Sequence, residues 1–226
     1  MRFVILALAL IVGLGNSDEK IDQLLSEQKY EEAFAEAKRS AEQGDANAHD
    51  LLGWMYETGN GTAADNALAE KHYRIAVAKG ESHAGWRLGV MIDMGTIKGA
   101  PEEAVALFET AAAKGFSDAI VSLAVMQATG RGTRQDYAAS LANYRRAATM
   151  GDSGGVRGIG IMYYYGEGVP NDPMEAAAWF LVAAVMGNES AEESFDQVMM
   201  QDPEFTFEAV QARGKEIARE LGLSID

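Results

Sequence analysis

Gly158-Ile159-Gly160-Ile161-Met162-Tyr163, continuing through Gly166-Glu167-Gly168-Val169 to Asp172-Pro173-Met174-Glu175-Ala176 and Trp179-Phe180, is the stretch that decides the fold. Its residue types recur upstream at fixed intervals. Ile159 is preceded by Leu52, Leu88 and Leu123, at spacings of 36, 35 and 36. Gly53, Gly89, Ala124 and Gly160 follow at once, then Met55, Met91, Met126 and Met162, then Gly59, Gly95, Gly130 and Gly166. Further columns are Ala69, Ala104, Ser140 and Ala176; Tyr73, Phe108, Tyr144 and Phe180; and Ala76, Ala111, Ala147 and Ala183. Each copy ends on a glycine, at Gly80, Gly115, Gly151 and Gly187, with Gly44 one period ahead. Self-similarity at such a period is the signature of a helical repeat array.

Each copy reads as two helices. Ala48, Leu52, Met55 and Tyr56 share one face of a first helix, and Ala69, Tyr73 and Ala76 share one face of a second. Gly59 and its equivalents suit the residue after a helix, where left-handed backbone carries no Cβ penalty. Asp172-Pro173-Met174-Glu175 reads as N-cap, proline at the first turn and a capping-box glutamate, and Asp65 and Asp136 hold the same cap position. The single missing residue falls between Gly95 and Ala104, in a loop, where length changes are tolerated. One such hairpin cannot bury its apolar face, whereas four stacked ones can, provided the ends are covered.

The repeats are therefore expected at 46–80, 81–115, 116–151 and 152–187. Residues 16–45 supply N-terminal capping helices, at about Asp18 to Glu27 and Lys29 to Gln43. Residues 188–226 supply a degenerate repeat helix, Ala191 to Met200, and a last amphipathic helix that Asp202-Pro203 is expected to cap. Residues 1–15 read as a removable signal peptide: Arg2 is basic, Phe3 to Leu14 is apolar but too short to span a bilayer, and Gly13 and Gly15 are small. An uncleaved anchor is the alternative. The chain of 226 residues has no cysteine, so a lipidated signal and disulfides are ruled out. Its net charge of −15, with 34 acidic residues against 19 basic ones, disfavours nucleic acid and anionic membrane surfaces, which are bound through lysine and arginine. No membrane span is expected once the signal is removed.

The pattern resembles the Sel1-like repeat family, relatives of tetratricopeptide repeats, over about Ala46 to Gly187. The fourth copy matches most fully. The second lacks the second loop glycine and has Ala100-Pro101 near its cap, and in the third Gln127 stands where a tyrosine is usual. The resemblance implies an all-α, right-handed α-solenoid of about four helix-turn-helix repeats with N- and C-terminal capping helices. It also implies that the first helix of each pair lines a concave face. The inward positions would then be Asp50, Trp54 and Glu57; Trp86, Val90 and Asp93; Val121 and Val125; and Arg157, Ile161, Tyr164 and Tyr165. Tryptophan and tyrosine are the types that anchor interfaces. The competing assignment places Trp54 and Trp86 in the inter-helix core.

Several strings invite chemistry. Gly151-Asp152-Ser153-Gly154-Gly155 matches the segment around a serine-protease nucleophile, but a triad is defined by geometry, and here the string is the inter-repeat turn that recurs as Gly44-Asp45. Gly130-Arg131-Gly132-Thr133-Arg134 joins two helices instead of a strand and a helix, so it reads as loop geometry and not a phosphate cradle. His49, His72 and His83 lack the further ligands of a zinc site and read as solvated or groove-lining histidines, although His49 and His83 could approach each other across neighbouring first helices. Glu31-Glu32, Glu102-Glu103 and Glu192-Glu193 read as solvated helix faces.

The expectation is an exported adaptor, periplasmic or secreted. It would bind a protein or peptide in the groove without cofactor, metal or catalysis. The resemblance implies settings such as envelope or exopolysaccharide assembly, or signalling regulation. One alternative is a β-lactam-interacting or other hydrolytic enzyme of the cysteine-rich Sel1-like type, which the missing cysteines count against. Another is a structural homo-oligomer formed through Phe205, Phe207, Val210, Ile217 and Leu221.

Overall fold

The computed structural model describes residues 19–202 and 204–223. The expected signal peptide lies outside the described residues. Among the described residues the chain forms twelve α-helices and no strand, arranged as stacked helix pairs. They fall into two units, residues 1–114 and 115–226.

The first unit holds α1 (Glu19–Ser26), α2 (Tyr30–Glu42), α3 (Ala46–Thr58), α4 (Asn66–Ala78), α5 (Ser82–Asp93) and α6 (Pro101–Ala113). The pairs α3/α4 and α5/α6 are the first two repeats. Ahead of them, α1 and α2 place Ile21, Leu24, Leu25, Ala33 and Ala37 in one core with Leu51, Leu52 and Met55 of α3.

The second unit holds α7 (Ser117–Thr129), α8 (Tyr137–Thr149), α9 (Ser153–Tyr165), α10 (Pro173–Val185), α11 (Glu189–Gln201) and α12 (Phe207–Glu220). Here α7/α8 and α9/α10 are the third and fourth repeats, and both α11 and α12 pack on α10.

The apolar columns of the period are core. The Leu52 and Met55 columns, the aromatic column Tyr73, Phe108, Tyr144 and Phe180, and the alanines of the second helices are all buried. Burying one leucine- or methionine-sized side chain contributes about 1.5–3 kcal/mol, so the period is a map of the stabilising contacts. The glycine column has a steric reason. A Cβ on Gly160 would stand 2.7 Å from the Phe180 ring, and one on Gly89 would stand 2.5 Å from Phe108. The residue after the leucine must be small for the two helices of a pair to close on an aromatic side chain.

The helix ends follow the caps read from sequence. Gly59, Gly130 and Gly166 are left-handed, with φ of 77°, 70° and 72°, and each donates to the carbonyl of its column methionine. Asp65, Asp136 and Asp172 cap the second helices, and their own N–H groups close the loop onto Tyr56, Gln127 and Tyr163 carbonyls at 2.8, 2.8 and 2.9 Å. In the shortened second copy Ala100 stands at the cap position and offers no side-chain cap.

Two local expectations need correction. The capping box at Asp172 is half formed. Asp172 accepts from Glu175 N–H at 3.0 Å, but the Glu175 carboxylate turns away to Trp179 and Arg213. An arginine fork outcompetes a backbone N–H for a carboxylate. The last helix also starts later than expected. Thr206 is its N-cap, accepting from Ala209 N–H at 3.2 Å, while the Asp202 carboxylate is occupied by Glu204 N–H.

Candidate functional site

In the first unit, the first-helix positions form a tied network. Asp50 is buried on α3, and both its oxygens lie within 2.9 Å of His83 Nδ1 on α5. One turn on, Glu57 accepts from the Tyr73 hydroxyl at 2.8 Å and from both Nε and a terminal nitrogen of Arg87. Burial pushes the Tyr73 phenol up, and the neighbouring Glu57 charge adds to this. The Trp86 ring is 5.8 Å from that of His83 and 5.1 Å from the Arg87 guanidinium. Trp54 is half-buried beside Tyr30 at 6.5 Å between centroids. Val90 and Asp93 are half-buried on α5. Asp50 and Glu57 thus spend their charges inside the fold, holding α5 against α3 and α4.

The histidines are neither solvated and free nor paired across neighbouring first helices. His49 meets His72 of its own repeat, Nδ1 to Nδ1 at 3.0 Å, and His83 is taken by Asp50. Tyr56 stacks on His72 at 5.5 Å, with the Phe34 edge on Tyr56 at 5.3 Å. Sequence spacing brought out His49 and His83 because they share a helix type. It could not show that His49 points to the second helix of its own hairpin.

In the second unit, Val121 and Val125 are half-buried on α7 and pack against the core. On α9, four expected positions converge. Arg157, Ile161, Tyr164 and Tyr165 line one cavity of about 200 Å³. Phe180 forms part of its wall, and α11 closes it with Ser194, Gln197 and Val198. Tyr164 and Tyr165 meet edge to face at 5.0 Å, and the Tyr164 hydroxyl donates to Gln201 at 2.8 Å, joining α9 to the end of α11. Tyr165 is 67% exposed at the rim. Arg157 is half-buried, and its Nε has neither solvent contact nor a hydrogen-bond partner. Burial pushes the neighbouring Tyr144 phenol up to about 12, with the Arg157 charge acting in the opposite sense.

The α11 wall was missed from sequence because the period breaks after Gly187. The Ser153 hydroxyl, at the protease-like string, faces the Asn188 amide at 3.4 Å, and Asp152 caps α9 instead of orienting a base. Among the described residues, no three histidine, cysteine or carboxylate groups are placed to hold a metal ion, and no helix is long and apolar enough to cross a membrane. The apolar face of α12 is largely spent on α10, where Val210 and Ile217 are buried, while Phe207 remains 49% exposed.

Comparison with known proteins identifies four copies of one repeat in the chain. The Sel1 repeat matches at residues 46–81, 82–116, 117–152 and 157–188. The Sel1 repeat protein from Oxalobacter formigenes has a similar structure, with a TM-score of 0.73 at 25% identity, covering 93% of each chain. The protein c5321, described as a protective antigen of uropathogenic Escherichia coli with an SLR fold, superimposes with a TM-score of 0.72 at 28% identity over 84% of this chain and 40% of its own. The uncharacterized protein NMB1327 of Neisseria meningitidis serogroup B is 34% identical over 112 residues, half of this chain but only 23% of the relative's length.

Proposed function

This chain belongs to the Sel1 repeat family, and from that premise we propose that it is an exported adaptor. It holds a protein or peptide partner on the surface of first helices of its repeat pairs, each unit presenting its own. It acts by shape and charge, without cofactor or covalent chemistry, in settings such as envelope assembly or signalling regulation.

The observation that carries this reading is the convergence of Arg157, Ile161, Tyr164 and Tyr165 on one cavity. The core columns keep their character from repeat to repeat, while the positions equivalent to Arg157 are Asp50, Trp86 and Val121. A fixed scaffold with an individual inner surface is what a recognition protein needs. Solvent-accessible tyrosine beside a pocket is a common interface anchor.

The test is site-specific photo-crosslinking in cells. A photoreactive residue at Trp86 or Ile161 should capture one discrete protein, and the same residue at the second-helix positions Glu70 or Arg145 should not. Tyr164→Ala with Tyr165→Ala should abolish capture at Ile161 while leaving the helical circular dichroism unchanged. Equal capture from both kinds of position would refute the assignment of the working face.

A further inference from the structure

We infer that the cleft between α10 and α12 is a docking site for a partner peptide, which inserts one leucine-sized side chain and sets an adjacent carboxylate on Lys215 and Arg219. The cleft is built from the second helix of the fourth repeat and from the closing helix. It is therefore independent of the first-helix surface proposed above.

Val182 and Val185 of α10 face Phe207, Gln211 and Gly214 of α12 across the cleft. Its mouth is apolar and open to water, with Val185 56% and Phe207 49% exposed. Its volume of about 120 Å³ is that of about four waters at about 30 Å³ each, the scale of one branched aliphatic side chain. Gly214 is the observation that points to an occupant. It is buried inside α12, where glycine weakens a helix relative to alanine. Packing does not demand it. A Cβ there would meet Ala178 O, Leu181 and Val182 at between 3.6 and 3.7 Å, ordinary contact distances. Gly89 and Gly160 differ, since a Cβ on them would stand 2.5 and 2.7 Å from a ring. What the missing side chain at Gly214 preserves is the floor of the cleft.

The edge of the cleft sets the charge of the partner. Lys215 lines it, and Arg219 stands one turn further along the same side of α12. The neighbouring acids Glu216 and Glu220 turn to Arg213 instead. Among the described residues neither Lys215 nor Arg219 has a carboxylate partner, and Arg219 Nε donates to the Lys215 carbonyl. The chain has 34 acidic residues against 19 basic ones, so two adjacent cations left unpaired stand out. The cleft itself has no acidic lining. A basic partner would set its charge against Lys215 at the mouth. An aliphatic residue beside an acidic one fits both the cavity and its edge.

The experiment titrates the full chain with the capped peptide acetyl-Ala-Leu-Glu-Ala-amide. Three analogues carry alanine for the leucine, or glutamine or lysine for the glutamate. At about 0.15 M salt, charges more than about 8 Å apart are largely screened, so the net charge of −15 does not mask a local contact. The readout is the backbone amide resonances of Gln211, Gly214 and Lys215 in a ¹⁵N spectrum. The leucyl-glutamyl peptide should shift them saturably. Alanine for leucine should weaken binding about tenfold or more, and glutamine for glutamate about two- to fivefold, as for an exposed ion pair. Gly214→Ala should raise the melting temperature and yet weaken the peptide. Lys215→Gln with Arg219→Gln should make the glutamyl and glutaminyl peptides bind alike. The inference is overturned by no saturable shift, by equal binding of the leucyl and alanyl peptides, or by a lysyl peptide that binds as tightly as the glutamyl one. A melting temperature lowered by Gly214→Ala would assign the glycine to packing and overturn it too. Shifts of the same resonances with protein concentration alone would give the cleft to a second copy of the chain and remove the peptide.

Discussion

His49 and His72 face each other Nδ1 to Nδ1 at 3.0 Å, one on each helix of the first repeat. One ring donates the proton on its Nδ1 and the other accepts it, so the accepting ring is neutral. Burial lowers the His72 pKa to about 4, with His49 and Lys71 adding to the effect; burial, followed by Lys79, lowers His49 against the pull of Asp45. A histidine whose folded pKa is depressed binds its proton more weakly folded than unfolded. The pair's contribution is therefore intact above about pH 6.5 and is lost progressively as pH falls toward about 4. The melting temperature of the native chain should fall more steeply between neutral and mildly acidic pH than that of His72→Phe. Parallel curves would show that the pair does not titrate with unfolding.

A second prediction concerns the small-residue column. Gly89→Ala and Gly160→Ala drive a methyl into the Phe108 and Phe180 rings, at 2.5 and 2.7 Å before any relaxation. Overpacking of this kind costs about 1–3 kcal/mol, to be read as a lowered urea midpoint. Gly115→Ala meets no atom within 4 Å but sits at φ +84°, so its cost of about 1–2 kcal/mol is that of left-handed backbone alone.

The helix starts supply a pair of opposite sign. Asp172→Ala removes the oxygen that accepts from Glu175 N–H and should lower stability by about 1 kcal/mol. Ala100 occupies the equivalent place without a side-chain cap. Ala100→Asp should raise stability by up to about 1 kcal/mol, measured by the same denaturation.

The Glu175 carboxylate joins α10 to α12. It takes a two-pronged bond from Arg213 at 2.7 and 2.8 Å and a third from the Trp179 indole at 3.0 Å. Burial acts to raise its pKa, but the Arg213 and Trp179 hydrogen bonds outweigh this and hold the carboxyl below its ordinary value. Glu175→Gln should cost about 1.5–3 kcal/mol at neutral pH. That difference should shrink as pH falls below about 4.5, where the native carboxylate begins to lose its charge in the unfolded chain. Chemical denaturation at neutral and acidic pH checks both statements.

The helix pairs, their caps and their core were legible because each rests on a residue type repeated in register: leucine, glycine and methionine on the first helix, alanine and an aromatic on the second. Four residues of the cavity were legible for the same reason, since Arg157, Ile161, Tyr164 and Tyr165 flank the constant positions of α9. What the period could not carry was any contact made by a residue used once. His49 turning to His72, Asp50 to His83 and Glu175 to Arg213 depend on rotamer and on the angle between helices, which spacing does not encode. The α11 wall was hidden because Ser194, Gln197 and Val198 lie beyond the last repeat glycine. The start of α12 was misplaced because Thr206 and Asp202 are both competent caps.

The seating of α12 on α10 also bears on how such a chain can change in length. With Val210 and Ile217 buried there and Arg213 forked onto Glu175, the outer side of the fourth hairpin is already claimed. A tandem duplication placed after α12 would find no matching flank to continue from, whereas a copy inserted upstream of α9 would inherit one at each end. A unit inserted there would leave the seating of α12 on α10 unchanged.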